Sequence, residues 1–357
     1  MRRKTRKIFI GEVPVGGGSP VSVQSMTKTR TEDIKGTLKQ IFSLKKAGCD
    51  IVRIAVPTEE AANSLKEIVK NSPLPIVADI HFNPKLAILS LKAGVQGLRL
   101  NPGNIENKNK IKEIVSIAKE KSVPIRIGVN GGSLPKEILK SFGGPTPEAL
   151  VEAALNHIKI LENLDFFDIK VSLKTSDVFS TVEAYRIISR LKDYPLHLGI
   201  TEAGTFLSGT IKSSIGIGIL LYEGIGDTIR VSLTDSPVKE VKVGIEILKA
   251  LKLRSGEPEI ISCPTCGRNT TDLQKVAKEI ERFLLNNKID LTVAVMGCEV
   301  NGPGEARLAD IGIAFSKNFA LIFKKGKVFL KIKKDKALEI FKEEILKYWK
   351  EKGASQI

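Results

Sequence analysis

The sequence predicts an N-terminal (β/α)8 barrel followed by a small α+β domain. Short β-branched runs alternate with helical patterns eight times, and this rhythm changes after Pro258. Parallel strands need helical crossovers, and eight such units within roughly 250 residues match a closed barrel more closely than an open, doubly wound sheet. The open sheet is the alternative.

The elements of the barrel follow one another in a regular order. An amphipathic hairpin is predicted at residues 7–18, where it would cover the N-terminal end of the barrel. The barrel strands are predicted at residues 21–25, 51–55, 76–80, 97–100, 124–128, 168–173, 196–201 and 228–233. Apolar residues three or four apart predict helices between them, and the eighth helix is predicted at 238–253.

A linker at residues 255–258 separates the barrel from a second pattern, so the domains are predicted at residues 1–256 and 257–357. The second domain begins with a short strand that leads into Cys263. A helix at 271–285, strands at 291–296, 311–315, 320–323 and 328–332, and a closing helix at 336–350 are predicted to follow.

Composition excludes several classes of protein. The chain has 357 residues, of which 42% are hydrophobic and 27% charged, so it can bury a full core and is not disordered. No apolar run suits a signal peptide or a membrane span. The four cysteines do not form a disulfide framework, which favours a cytoplasmic location. The net charge of +16 is spread along the chain and does not by itself identify a partner.

Polar side chains stand at the carboxyl ends of the predicted barrel strands, which converge on one mouth in this fold. The cations are Arg53, Arg99, Arg126, Lys174 and Arg230, and the neutral donors are Asn101, Asn130, Ser172 and Ser232. Guanidinium groups on rigid strands grip phosphoryl oxygens without a metal, so the set predicts a phosphate or diphosphate site. For any single arginine, pairing with a neighbouring acid is an equal alternative.

Glu202 and His81 follow two of these strands and are interpreted as catalytic. The carboxylate of Glu202 would donate or accept a proton, against the alternative that it neutralises an arginine. His81 would orient a hydroxyl or transfer a proton, although a lone histidine is more often structural. The glycine-rich segments fit neither a P-loop nor a dinucleotide fingerprint.

Three cysteines mark the second domain. Cys263 and Cys266 form a Cys-x-x-Cys turn, and Cys298 follows a predicted strand, with Glu305 in the Gly- and Pro-containing loop after it. Three thiolates and a carboxylate suit an iron–sulfur cluster with one chemically distinct iron. Zinc held by the same four residues and a redox cysteine pair are the alternatives. Cys49 is predicted to be a buried apolar residue.

Over essentially its whole length the chain resembles the (E)-4-hydroxy-3-methylbut-2-enyl diphosphate synthase family. The resemblance is carried by Val-Gln-Ser-Met-Thr at 23–27, Val-Ala-Asp-Ile-His-Phe at 77–82, Arg-Leu-Asn-Pro-Gly-Asn at 99–104, Arg-Ile-Gly-Val-Asn at 126–130, Ile-Thr-Glu-Ala-Gly at 200–204, Cys-Pro-Thr-Cys-Gly at 263–267 and Gly-Cys-Glu-Val-Asn-Gly-Pro-Gly-Glu at 297–305. It implies the bacterial two-domain form, a TIM barrel followed by an iron–sulfur domain.

The resemblance also implies an activity: reductive ring opening and dehydration of 2-C-methyl-D-erythritol 2,4-cyclodiphosphate in the methylerythritol phosphate pathway of isoprenoid biosynthesis. Flavodoxin or ferredoxin would supply two electrons, one at a time, through a 4Fe-4S cluster. By motif, the cluster ligands are Cys263, Cys266, Cys298 and Glu305, and Asn301 joins the polar residues of the mouth in binding substrate. Glu202 would help a hydroxyl to leave as water.

The direction of the eighth helix predicts a homodimer. Barrel helices run from the mouth to the opposite end, so the chain leaves the barrel far from its own mouth, and a short linker cannot climb back. Each cluster domain would then cap the barrel of the partner. Two other functions are weighed. One is a phosphate-ester transferase on a pterin-synthase-like barrel with a structural zinc domain, and the other is nucleic-acid binding, which only the net charge suggests.

Overall fold

The computed structural model describes residues 2–256, 258–300, 304 and 306–354. The chain forms two compact units, Met1–Leu253 and Arg254–Ile357. In the first unit the strands are β1 (Ile8–Ile10), β2 (Val13–Val15), β3 (Ser22–Met26), β4 (Ile51–Ala55), β5 (Ile76–Asp79), β6 (Gly97–Arg99), β7 (Ile125–Asn130), β8 (Ile169–Lys174), β9 (His197–Leu198) and β10 (Thr228–Ile229). The helices are α1 (Ile34–Lys46), α2 (Glu59–Asn71), α3 (Pro84–Lys92), α4 (Lys108–Glu120), α5 (Lys136–Phe142), α6 (Pro147–Glu162), α7 (Val178–Leu191), α8 (Phe206–Tyr222) and α9 (Pro237–Ala250).

The barrel prediction is confirmed. Strands β3 to β10 form one parallel sheet, and a bridge between Val171 and Leu196 joins its two ends. Each predicted strand overlaps an observed one, because the β-branched runs are bounded by turn residues and separated by capped helices. Thr58, Thr146 and Asp177, for example, each accept a hydrogen bond from a backbone N–H in the first turn of the following helix.

The hairpin β1–β2 packs at the N-terminal end of the barrel, as predicted. Ile8, Ile10 and Val15 form an apolar cluster with Ile51 and Val77, which lie at the beginnings of β4 and β5. The bottom of the barrel is therefore closed by hydrophobic side chains, and polar inward-facing residues lie above them.

The second unit is a five-stranded mixed sheet with two long helices. Its strands are β11 (Glu259–Ser262), β12 (Thr292–Met296), β13 (Ile311–Phe315), β14 (Phe319–Lys324) and β15 (Lys327–Lys333), and its helices are α10 (Leu273–Asn286) and α11 (Ala337–Ala354). Strands β11, β12 and β13 are parallel, and β13, β14 and β15 are antiparallel. Apolar residues of both helices pack on one face of the sheet. In the described part of the chain, no helix has the length and apolar character to cross a membrane.

Candidate active site

A positively charged recess lies at the carboxyl ends of the barrel strands. It has a volume of about 40 Å³ and is lined by Arg53, Arg99, Arg126, Gly128, Asn130, Ser172, Lys174, Thr201, Arg230 and Ser232. These residues come from six segments of chain, and the period of two along each strand turns their side chains inward. The recess thus contains eight of the predicted mouth residues: all five cations, Asn130 and both serines.

Burial makes this group of cations electrostatically costly. Burial, followed by the charges of Arg53 and Arg99, holds the pKa of Arg126 well below its usual value. Burial, followed by Arg126 and Arg230, does the same to the pKa of Lys174. In the described residues the Nε atoms of Arg99, Arg126 and Arg230 are buried without a hydrogen-bond partner. An anion with several oxygens would relieve both the repulsion and the unmet donors.

Asp79 is the acid of this group, and sequence reasoning did not select it. Its Oδ2 lies 3.9 Å from Nε of Arg53, and its Oδ1 lies 3.5 Å from Nη1 of Arg99. Burial acts to raise the pKa of Asp79, but Arg53, a hydrogen bond with His81, Arg99 and Arg126 together lower it far below its usual value. The carboxylate therefore stays charged and holds two arginines. Its place at the end of β5, two residues before His81, was the available signal.

Glu240 lies outside the recess and holds Arg230 in place, and sequence reasoning did not select it either. Its carboxylate accepts the Leu233 N–H at 3.0 Å and lies 3.4 Å from Nη2 of Arg230 and 3.0 Å from Nζ of Lys28. Glu240 is buried on the apolar face of α9. A charged residue within an apolar helical stripe was the signal, since such a residue needs buried partners.

Lys170 is a sixth inward-facing cation, one layer below the recess. It lies on β8 two residues before Ser172, is 2% exposed, and its Nζ has no hydrogen-bond partner within the described residues. Burial, followed by the charge of Arg126, lowers its pKa well below the usual value. The inward period of β8 places Lys170, Ser172 and Lys174 on one face, which was a signal in the sequence.

The remaining mouth residues differ in position. Asn101 lies behind the recess: its Nδ2 donates to the Gly128 carbonyl at 2.9 Å, and its Oδ1 accepts the Gly128 N–H at 2.8 Å. His81 is largely exposed and lies 3.0 Å from Nη1 of Arg99. Glu202 is exposed with φ of 50°, in the left-handed region that costs a non-glycine residue energy and is often found at functional sites.

A wider cavity of about 550 Å³ adjoins the recess, and Asn130 and Thr201 line both. Its other walls come from Gly131, Gly132, Ser133, Pro145, Thr175, Ser176, Asp177, Ser180 and Glu202. The recess is thus the positively charged end of a larger space, and the other end is lined mainly by neutral residues together with the carboxylates of Asp177 and Glu202.

In the second unit, Cys263, Cys266 and Cys298 line one cavity of about 370 Å³. Cys263 follows β11 and Cys298 follows β12, and because these strands are parallel neighbours their ends share one edge of the sheet. The Gly297 N–H donates to Sγ of Cys263 at 3.3 Å, and a Cβ at Gly297 would lie 2.6 Å from Oδ1 of Asn269.

The chemistry of the donor set fits an iron–sulfur cluster: three cysteine sulfurs border a space far larger than one ion, and a backbone N–H points at one sulfur. Among the described residues no three Cys, His, Asp or Glu side chains are placed to hold a single metal ion. Glu305 and Asn301 lie outside the described residues.

Two protein-family models and several known proteins match the chain. The model of the GcpE TIM-barrel domain matches residues 5–245, and that of the GcpE protein C-terminal domain matches residues 259–347. Curated 4-hydroxy-3-methylbut-2-en-1-yl diphosphate synthases (flavodoxin) are similar. The one from Lawsonia intracellularis is 55% identical over 100% of this chain and 99% of its own, and the one from Thermodesulfovibrio yellowstonii is 57% identical over 97% and 99%. The solved dihydropteroate synthase of Yersinia pestis covers 69% of this chain and 97% of its own at 12% identity, with a TM-score of 0.49.

Proposed function

The chain belongs to the GcpE family of 4-hydroxy-3-methylbut-2-en-1-yl diphosphate synthases, and we propose that the recess at its barrel mouth binds the diphosphate of 2-C-methyl-D-erythritol 2,4-cyclodiphosphate. The chain is an iron–sulfur oxidoreductase of isoprenoid biosynthesis that opens and dehydrates this ring to (E)-4-hydroxy-3-methylbut-2-enyl diphosphate. The alternative of a phosphate-ester transferase with a structural zinc domain is not supported by the family match.

One observation carries the proposed site: six inward-facing cations, Arg53, Arg99, Arg126, Lys170, Lys174 and Arg230, lie in or directly below the recess, whereas the buried carboxylates Asp79 and Glu240 of the described barrel pair with only three of them. A diphosphate offers enough negative charge and oxygen acceptors to satisfy them. Arg53, Arg126, Lys174 and Arg230 would contact phosphoryl oxygens, helped by Ser172 and Ser232. Asn101 would act by fixing Gly128, and Asp79 by orienting Arg53 and Arg99.

The organic part of the substrate would lie in the adjoining cavity, because the recess has room for little more than phosphoryl oxygens. Asn130 lines both spaces and would contact the part of the substrate that lies at their junction. Glu202 would give a proton to the hydroxyl that leaves as water, which its position at the rim permits. His81, which lies beside Arg99, would position the substrate rather than bind its negatively charged phosphates.

Cys263, Cys266 and Cys298 would hold a 4Fe-4S cluster, with Glu305 as the fourth ligand. When bound, such a cluster passes electrons singly, and an iron held by a carboxylate can exchange that ligand more readily than one held by a thiolate. The hydrogen bond from Gly297 to the Cys263 sulfur stabilises negative charge on the sulfur. A reduced flavodoxin or ferredoxin would supply the electrons.

A homodimer is proposed because the connection between the units is short. Leu251 and Leu253 pack against the barrel core, and β11 begins at Glu259, so residues 254–258 form the connection between the two units. Five residues reach at most about 17 Å when extended. Helix α9, which runs the length of the barrel, has 14 residues and is about 21 Å long. A cluster domain would therefore reach the mouth of a second chain, together with Asn301, more readily than its own.

The decisive experiment is an anaerobic assay with the cyclodiphosphate, a chemical reductant and identification of the product. Wild-type enzyme should be brown and form the allylic diphosphate. The Cys298→Ala variant should lose iron, cluster absorption and turnover, whereas the matched control Cys49→Ala, at a buried cysteine of the barrel, should keep all three. A colourless enzyme that is fully active with zinc and without reductant would overturn the proposal.

A further inference from the structure

The positive charge of the second unit is concentrated in one segment. Residues 317–336 contain eight lysines and one aspartate, whereas the rest of residues 259–357 contains ten basic and twelve acidic residues. Without this segment the domain would be slightly acidic. The concentration therefore needs an explanation beyond the general basicity of the chain.

Hydrogen bonds place the two ends of this segment beside the cysteine loop. Nζ of Lys334 donates to the Thr270 carbonyl, and Oγ1 of Thr270 donates to the Ser316 carbonyl at 3.0 Å. The turn that begins at Cys266 leads directly to Thr270, with the Asn269 N–H bonded to the Cys266 carbonyl at 2.9 Å. Lys317 and Lys334 thus lie at the same end of the strands as Cys266, which is exposed.

We define the lysine surface as Arg268, Lys317, Lys333, Lys334 and Lys336. All but Lys334 are exposed, and among the described residues none of the five forms an ion pair with a carboxylate. Two acids in this part of the described chain form hydrogen bonds with neutral groups: Glu299 accepts one from Ser316, and Asp335 accepts one from the Lys336 N–H. The lysine surface therefore carries positive charge that no described ion pair neutralises.

Protection of an edge strand does not account for these cations. Lysines on β15 discourage pairing with other chains, since β15 is the last strand of the sheet. However, Arg268, Lys317, Lys334 and Lys336 lie outside β15, and they cluster at the end of the sheet nearest the cysteines rather than along its edge.

We propose that the lysine surface is where an electron-donor protein with an acidic surface docks. The inference rests on the proposed function, because it requires a cluster held by the adjacent cysteines. Electron-transfer complexes have small interfaces and depend on charge complementarity to form quickly. Each encounter would oxidise the donor by one electron, so that two encounters supply the two electrons that the ring opening consumes.

The test uses anaerobic holoenzyme with two donors, an acidic flavodoxin and reduced methyl viologen, a small cation. The Lys333→Glu/Lys336→Glu variant should raise the KM for flavodoxin about tenfold or more and weaken its dependence on salt. The control Lys347→Glu/Lys350→Glu changes the charge equally on α11, and Lys347 lies about 16 Å from Lys336 along the helix axis. It should behave as wild type.

The viologen assay separates this proposal from the proposed function. Iron content and viologen-driven turnover of the Lys333→Glu/Lys336→Glu variant should match those of the control. Equal flavodoxin KM values for the two variants would overturn the docking proposal, as would loss of turnover with both donors or an altered sedimentation coefficient, which would indicate a structural or subunit contact. Absence of turnover by wild-type enzyme with viologen would instead contradict the proposed function.

Discussion

Asn101 and Gly128 exchange two hydrogen bonds between neighbouring barrel segments, with distances of 2.9 and 2.8 Å. Nη2 of Arg99 also donates to the Gly128 carbonyl, at 2.8 Å. A Cβ at residue 128 would lie 2.8 Å from Nε of Arg99, so glycine permits this approach. The asparagine thus fixes the backbone against which an arginine of the recess is held.

The variant Asn101→Ala should lower kcat/KM for the cyclodiphosphate about tenfold, because the buried Gly128 N–H loses its acceptor and the strand relaxes. Iron content should not change. Steady-state kinetics with a chemical reductant measures the effect, and Asn109→Ala, on the exposed side of α4, is the control. Equal kcat/KM values for the two variants would show that the hydrogen bonds between Asn101 and Gly128 have no function in the reaction.

Removal of Asp79 should destabilise the barrel. Asp79→Asn leaves Arg53 and Arg99 buried without their carboxylate, and breaking such a pair costs about 3 kcal/mol or more. Thermal unfolding at pH 7 should show a lower Tm than wild type. Saturating cyclodiphosphate should restore more of the Tm in the variant than it adds to wild type, since the bound anion replaces the lost charge.

The Tm difference between wild type and Asp79→Asn should depend on pH. The folded state lowers the pKa of Asp79 below the ordinary value of 3.8, so its contribution to stability is complete above that pH and is lost as the pH falls below it. The Tm difference between wild type and Asp79→Asn should therefore be constant from neutral pH to about pH 5 and shrink in more acidic solution. A difference that grows on acidification would contradict the assigned ion pairs.

The sequence predicted the barrel closely, because each strand is a β-branched run and each crossover is a capped helix. It predicted Arg126 and Lys174 because strand ends converge in this fold. It did not predict Lys170 or Glu240, because barrel interiors and helix stripes are ordinarily apolar, and the partners that tolerate these charges come from distant segments. The hydrogen bonds between Asn101 and Gly128 could not be predicted from the sequence, because an amide beside arginines is equally consistent with a contact to a ligand.

Lys170→Met should raise the stability of the barrel. Burial lowers the pKa of Lys170 in the folded state below the ordinary value of 10.5. At any pH below 10.5 the lysine is protonated in the unfolded chain, so burying it lowers the free energy of unfolding. The Tm advantage of the variant should be present at pH 7 and decline as the pH rises toward that value. The exposed Lys119→Met serves as the control. If Lys170→Met has a lower Tm than wild type, the lysine contributes an interaction that outweighs its burial.

Glu202→Gln should lower kcat about a hundredfold or more while leaving KM for the cyclodiphosphate nearly unchanged, as expected for loss of a proton donor. Glutamine keeps the length of the side chain and the same strained backbone, with φ of 50°. Glu137→Gln, an exposed residue of α5, should have normal kinetics. A rise in KM with normal kcat would instead assign Glu202 to substrate binding.

The proposed dimer predicts that sites damaged in different domains complement each other. A heterodimer of a Cys298→Ala chain and a Glu202→Gln chain would contain one barrel with Glu202 facing one intact cluster domain from the other chain. Such heterodimers, purified through two affinity tags, should have about half of the wild-type activity. Heterodimers of Cys298→Ala with Cys263→Ala chains carry both lesions in the same domain and should be inactive. If each site were formed within one chain, the first heterodimer would also be inactive, because every chain would carry a damaged site.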